Sequence, residues 1–340
     1  MSIEEVATPS RMHIAPSPHI AAKESVTHIM LWVVGALMPV TAIAIYHMGW
    51  VAGRVILAGI ITCLVSEWAW NALRKKPQTL GDGSALVTGL LLALVMPPYT
   101  PVWIVIAGGI VAIILAKQIF GGLGWNIFNP ALVGRAVALL SWISVMAQLK
   151  PFPGGWYSAL SMDAVGEYDA INGATRLAIA ASDRMAGGAY NFDMAAQYGP
   201  LLFKNLEGSI GEVSGAALIV GGLVLILKGI VDWRIPVGYI GSVALLSYFF
   251  GSDPIFNVLA GGVLIGAFFM ATDYVTSPVS RAGRLLFGIG CGTFNVIARF
   301  YGPMPEATTF AILFMNGLAP LIDRAFVPRV FGWEAKPDGK

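Results

Sequence analysis

Ten apolar runs, each close to the length of a membrane-crossing helix, follow one another along this 340-residue chain. They cover roughly 27–47, 51–70, 84–97, 102–117, 128–147, 212–228, 235–250, 255–272, 284–300 and 307–323. A helix that crosses the hydrocarbon layer needs about 20 mainly apolar residues. The alternative, a water-soluble domain, is excluded by composition. Only 12% of the residues are charged and 56% are hydrophobic, whereas soluble domains carry about a quarter charged residues. The expected fold class is therefore an all-α integral membrane protein of about ten transmembrane helices. The third and fourth runs are short and meet at Pro97-Pro98-Tyr99-Thr100-Pro101. Prolines there must end a helix. A broken span is tolerated at membrane depth only where it is buried in protein or lines a cavity.

Orientation follows from the basic residues, because Lys and Arg gather on the cytoplasmic side. With the N-terminus inside and ten spans threaded, 14 of the 21 basic residues fall in inside segments and six at outside ends, with Arg135 within the fifth run. Both termini are expected in the cytoplasm. The one long loop, 149–210, is then expected outside. No cleavable signal peptide is read in the polar residues 1–25. The organisation expected is a cytoplasmic segment 1–26, a first five-helix unit 27–148, the periplasmic loop 149–210, a second five-helix unit 211–324 and a cytoplasmic tail 325–340.

A faint repeat relates the two units. Residues 84–134 and 242–288 each give an apolar run ending in Pro, then a Gly-Gly-containing run. Each continues with a turn holding Asn-Pro or Ser-Pro, then Gly and Arg. With five runs on each side of the large loop, this suggests two inverted repeats with the functional site between them. Glycine-rich and proline-rich spans also resemble one another by composition alone.

The chemistry available is narrow. Cys63 and Cys291 stand alone in apolar runs, and all four histidines (His13, His19, His28, His47) are N-terminal. A zinc or iron–sulfur site, or a haem held by paired histidines deep in the membrane, is not expected from this chain. No metal ligand, catalytic acid or base, phosphate-binding loop or nucleic-acid signature is read. Arg74-Lys75-Lys76 is an orientation signal, with a docking surface for a cytoplasmic partner as the lesser reading. The acidic residues Glu67, Asp82, Asp273, Glu306 and Asp323 all sit at or near run ends, where water is expected to reach them.

Two stretches stand out. The outer loop carries Asp169-Ala170-Ile171-Asn172-Gly173-Ala174-Thr175. Taken locally, Asn-Gly is a turn and Thr175 caps the next helical segment. The second stretch is Gly121-Gly122-Leu123-Gly124-Trp125-Asn126-Ile127-Phe128-Asn129-Pro130. It comes after a membrane run rather than a strand, so it is not a dinucleotide fingerprint. It is either a tight inside turn or a pocket in which glycines admit a flat ring and Asn126 and Asn129 offer amide donors and acceptors.

The first stretch resembles the flavinylation motif of the D subunit of Rnf electron-transport complexes. The related B subunit of the sodium-translocating NADH:quinone reductase carries the same motif. Further matching stretches run in order along nearly the whole chain: Ser17-Pro18-His19, Gly81-Asp82-Gly83-Ser84, Lys117 to Pro130, 208–214, 232–236, 269–278 and 305–323. The short N-terminal extension before the first run favours the Rnf subunit. The resemblance implies FMN attached by a phosphodiester bond to Thr175, with Asp169, Gly173 and Ala174 forming the motif around it. Asn172 departs from the Ser, Thr or Asp usual there. It further implies a second, non-covalent flavin, riboflavin, near Asn126 and Asn129, which the turn Thr272–Pro278 would face if the repeat is real. It places the chain in the bacterial inner membrane. Its implied partners are other membrane subunits, a periplasmic flavin subunit and cytoplasmic iron–sulfur subunits. The implied function is electron relay between flavins coupled to H+ or Na+ translocation. The competing reading is an inverted-repeat channel or transporter for small solutes with no redox role, which leaves the Asp169–Thr175 motif unexplained.

Overall fold

The computed structural model describes residues 25–146, 177, 180, 182, 193–206, 208–302 and 307–327. Among the described residues there are helices and no strand. The first helix, α1 (Val26–Leu73), is 48 residues long. At 1.5 Å per residue it would reach about 70 Å, twice the bilayer's hydrocarbon thickness. It is not one rod. Gly49 has φ 61° and ψ −146°, a conformation open to glycine, and it divides the helix into two stretches. These match the two runs expected at 27–47 and 51–70.

A 3-10 turn (Leu80–Asp82) leads into α2 (Ser84–Leu94), which stops short of Pro97 as the proline cluster requires. Then α3 (Val102–Ile110) continues as a π-helical stretch, Val111–Gln118. After a glycine-rich turn come α4 (Pro130–Ser141) and α5 (Ile143–Met146). Within the long stretch 149–210 lies α6 (Tyr198–Phe203), and after it come α7 (Gly215–Leu227) and α8 (Arg234–Phe249). The run expected at 255–272 is not continuous. It consists of α9 (Pro254–Leu259), a break at Ala260-Gly261-Gly262, and α10 (Val263–Ile265) continuing as a second π-helical stretch, Gly266–Met270. The last helices are α11 (Arg281–Tyr301) and α12 (Thr308–Ala325). Among the described residues, α1 is the one helix long and apolar enough to cross a bilayer by length and composition, and several shorter apolar helices accompany it.

Small residues set how closely the helices approach. A Cβ added to Gly59 of α1 would lie 2.8 Å from the Gly89 carbonyl of α2. One added to Gly288 of α11 would lie 2.5 Å from the Ile235 carbonyl of α8. Backbone contact of this kind is the usual device where lipid removes the hydrophobic drive between helices. Large apolar side chains such as Leu31, Ile61, Val65, Leu223, Val237 and Leu245 point outward, each about half exposed. A soluble monomer does not present a belt of this kind.

Two Gly-Gly pairs stand shortly before the two π-helical stretches: Gly108-Gly109 inside α3, and Gly261-Gly262 at the break before α10. A π-helical stretch inside an α-helix is rare and is frequently found at functional sites.

Candidate functional site

The two π-helical stretches end beside one recess. It opens to solvent and is lined among others by Ser84, Lys117, Asn126, Asn129, Asp273 and Tyr274. A few polar groups set in an apolar wall are the common pattern of small-molecule sites. Met30, Leu91, Phe268 and Phe269 supply apolar wall here.

The glycine-rich turn forms one side. Gly121 and Gly122 take φ 130° and 102°, values that L side chains rarely adopt. This lets the chain reverse tightly after Gln118 and present Asn126. Asn126 is 5% exposed. Its Nδ2 donates to the Phe128 carbonyl at 3.3 Å. Its Oδ1 is buried without a hydrogen-bond partner. Leaving a buried acceptor unpaired costs about 1–3 kcal/mol, so this atom is a candidate ligand contact.

Asn129 behaves differently. Its Oδ1 accepts from the backbone N–H groups of Ala131 and Leu132 at 3.1 and 3.3 Å. It is therefore the N-cap of α4, with Pro130 at the first helical position, the arrangement such a start favours. Its Nδ2 donates to the Met270 carbonyl at 3.2 Å, and its backbone N–H donates to Asn316 Oδ1. The side chain expected to contact a ring is thus engaged in starting a helix and joining the two units. It borders the recess, but its acceptor is occupied.

From the other unit, Asp273 closes its own turn, accepting from the Val275 N–H and the Thr276 hydroxyl. The turn Thr272–Tyr274 lines the same recess as Asn126 and Asn129.

Behind the recess lies a polar network that the sequence reading missed. Lys117 and Glu67, each 1% exposed, form an ion pair at 2.8 Å. Lys117 also donates to Ser84 Oγ at 2.6 Å, and that hydroxyl donates to Asp82 Oδ1. The Thr79 hydroxyl donates to Glu67 Oε1 at 2.6 Å and accepts from Asn71 Nδ2. The expectation that water reaches Glu67 is corrected: its helix packs against the π-helical stretch, which supplies Lys117 in place of solvent. Arg299, counted as an outside-end charge, is likewise buried, with its guanidinium donating to the carbonyls of Asn257, Ala260 and Gly261 at the break. Asp323 accepts from the Val279 N–H at 2.9 Å. The signal for the Lys117–Glu67 pair was present: two opposite charges, each at the inner end of an otherwise apolar run.

Thr175, with Asp169, Gly173 and Ala174, lies outside the described residues. No group of three or more metal-ligating side chains is found among the described residues.

Helices with an apolar outer belt, packed around a largely apolar recess with a few polar groups, mark a membrane protein. Comparison with known proteins gives its kin. Residues 13–332 match the NQR2, RnfD, RnfE family, and the chain belongs to that family. It is 41% identical to the D subunit of the Na(+)-translocating ferredoxin:NAD(+) oxidoreductase complex of Acetobacterium woodii, over 94% of this chain and 95% of that protein. It is also 41% identical to the D subunit of the proton-translocating ferredoxin:NAD(+) oxidoreductase complex of Clostridium ljungdahlii, over 94% of this chain and 96% of the other. With the D subunit of the ion-translocating oxidoreductase complex of Stutzerimonas stutzeri the identity is 38%, over 92% and 94% of the two chains.

Proposed function

We propose that this chain is the flavin-carrying D subunit of an Rnf-type ion-translocating ferredoxin:NAD(+) oxidoreductase complex in the bacterial inner membrane. The observation that carries the reading is the near-complete match to D subunits of such complexes. Ten spans in two inverted five-helix units, both termini in the cytoplasm and the outer loop in the periplasm complete the proposed layout. FMN is assigned to the Thr175 hydroxyl, through a phosphodiester bond. A second, non-covalent flavin, riboflavin, is assigned to the recess. Partners are the other membrane subunits, a periplasmic flavin subunit and cytoplasmic iron–sulfur subunits.

Flavin, when bound, supplies reversible uptake of one or two electrons. The chain's own work is to hold, orient and seal. The unpaired Oδ1 of Asn126 favours a ligand with an N–H on its edge, which a flavin ring has. The apolar wall formed by Leu91, Phe268 and Phe269 limits water around a flat ring. Redox groups held toward both sides of the membrane let electrons cross within the subunit, coupled to H+ or Na+ translocation in the complex.

The test is a flavin count on the purified complex. The acid-denatured subunit is expected to retain flavin fluorescence in the wild type and to lose it in Thr175→Ala. Asn126→Leu is expected to lose acid-extractable flavin while keeping the covalent one. Undiminished covalent fluorescence in Thr175→Ala sinks the first assignment, and undiminished extractable flavin in Asn126→Leu sinks the second.

A further inference from the structure

Lys117 lies in the last turn of the first π-helical stretch, buried and lining the recess. An ammonium group has three N–H donors. Two are engaged, by Glu67 Oε2 at 2.8 Å and Ser84 Oγ at 2.6 Å. No third acceptor is found among the described residues. Glu67 stands behind the lysine and does not line the recess. Its other oxygen is held from the far side by the Thr79 hydroxyl. The ion pair is therefore an oriented dipole whose positive end meets the recess. Asn126, which lines the same recess, has in its Oδ1 an acceptor without a donor.

A free donor and a free acceptor lining one recess call for a ligand that offers both an acceptor and a donor. The imide edge of a flavin's pyrimidine ring has this pattern: carbonyl, N–H, carbonyl. We infer that Lys117 positions and poises the ring in the recess: its third N–H meets a pyrimidine-edge acceptor while Asn126 Oδ1 meets the neighbouring ring N–H. This rests on the recess holding a flavin, as proposed above. The consequence is electrostatic. Reduction adds negative charge to the ring, and the positive end of a fixed dipole in a water-poor site stabilises the reduced form more than the oxidised one.

The test is an anaerobic spectroelectrochemical titration of the whole detergent-solubilised complex, with dithionite as reductant. Each variant is read as a difference from the wild type, so that flavins elsewhere cancel. Lys117→Met combined with Glu67→Gln removes both charges and leaves none unpaired, the change that buried pairs tolerate best. It is expected to lower the midpoint of one flavin by about 30 mV or more, a tenfold change for a two-electron couple. Glu67→Gln alone keeps the ammonium, removes its counter-charge and is expected to raise the same midpoint. Shifts of opposite sign separate a field on the ring from a packing defect, which moves both variants the same way. If Glu67→Gln does not assemble, the double variant decides alone. An unchanged midpoint in the double variant, or shifts of one sign in both, overturns the inference while leaving the flavin assignment standing. A complex in which Asn126→Leu removes no extractable flavin overturns both.

Discussion

The side-chain amide of Asn129 donates to the carbonyl of Met270 across 3.2 Å, linking positions 141 apart in sequence. Asn129 starts α4, and Met270 ends the second π-helical stretch. One short side chain therefore fixes the first unit against the second at the rim of the recess. Asn316 strengthens the joint by accepting from the Asn129 N–H and donating to the Thr276 carbonyl.

Asn129→Ala removes both the cap and the tie. A lost N-cap costs about 1 kcal/mol, and a buried carbonyl left without its donor costs about 1–3 kcal/mol. A sum of roughly 2–4 kcal/mol is expected as a lower thermal midpoint of the purified subunit, followed by intrinsic fluorescence. Asn129→Ser keeps a capping oxygen but does not reach Met270, and is expected to fall between the two. A serine variant no better than alanine would show that the cap contributes nothing.

A second joint lies outside the helical layer. Asp232, in the turn before α8, accepts from Arg234 and from Arg284 at the start of α11, at 3.0 and 2.9 Å. Burial alone pushes its carboxyl up. The Arg234 backbone N–H and the two guanidinium groups outweigh this and hold the carboxyl below its ordinary range. The native value is thus lower than the unfolded one. The stability this gives is complete above about pH 4, the unfolded carboxylate range, and is lost as pH falls through the native value. Because the arginines are about a third exposed, the pair is worth roughly 0.5–1 kcal/mol. Asp232→Asn is expected to melt lower than the wild type at pH 7, with the gap narrowing as pH falls below about 4. A gap that persists at low pH would assign the effect to packing.

The positions of most helices were legible because apolar runs and their punctuation are local. Pro97 and Pro98 end α2, and Asn129-Pro130 starts α4, by rules that act within a few residues. That the glycine-rich turn and the Asp273 turn line one recess is a tertiary fact. The break at Ala260–Gly262 was not. Gly-Gly inside an apolar run also reads as close helix packing, which is what Gly108-Gly109 do. What opens the chain there is a guanidinium 38 residues away in sequence. The Lys117–Glu67 pair spans 50 positions. A charge at the end of an apolar run looks water-facing until the tertiary fold shows which helix covers it. The two roles of Asn126 and Asn129 looked alike in sequence, and only the capping geometry separates them.

Arg299 supplies a test of the break. Its guanidinium donates to the carbonyls of Asn257, Ala260 and Gly261 at 2.6, 2.8 and 3.1 Å. These are carbonyls that an unbroken helix would satisfy internally. The planar fork of arginine reaches several acceptors at once, and a lysine ammonium does not reproduce that geometry. Arg299→Lys is expected to leave at least one carbonyl unpaired, at a cost of about 1–3 kcal/mol. Hydrogen exchange localised to 257–263 is expected to quicken more than exchange in α11 itself. Equal quickening in both would mean that the arginine supports α11 in general and not the break.

Gly288 tests the close contact between α8 and α11. The β-carbon of an alanine there would lie 2.5 Å from the Ile235 carbonyl and 3.2 Å from its Cα. Both are backbone atoms, so no side-chain rotation relieves the overlap, and the helices must separate. Overpacking of this kind costs about 1–3 kcal/mol. Gly241 on the same helix, α8, has nothing within 4 Å of its would-be Cβ, and Gly241→Ala also gains the helix propensity of alanine, about 1 kcal/mol. The two substitutions are chemically identical and are expected to shift the thermal midpoint in opposite directions, Gly288→Ala downward and Gly241→Ala upward. The tyrosine–asparagine hydrogen bond between Tyr239 and Asn295, at 2.8 Å between the same two helices, is expected to lengthen with Gly288→Ala. A Gly288→Ala protein as stable as the wild type would show that α8 and α11 do not depend on backbone contact at this point.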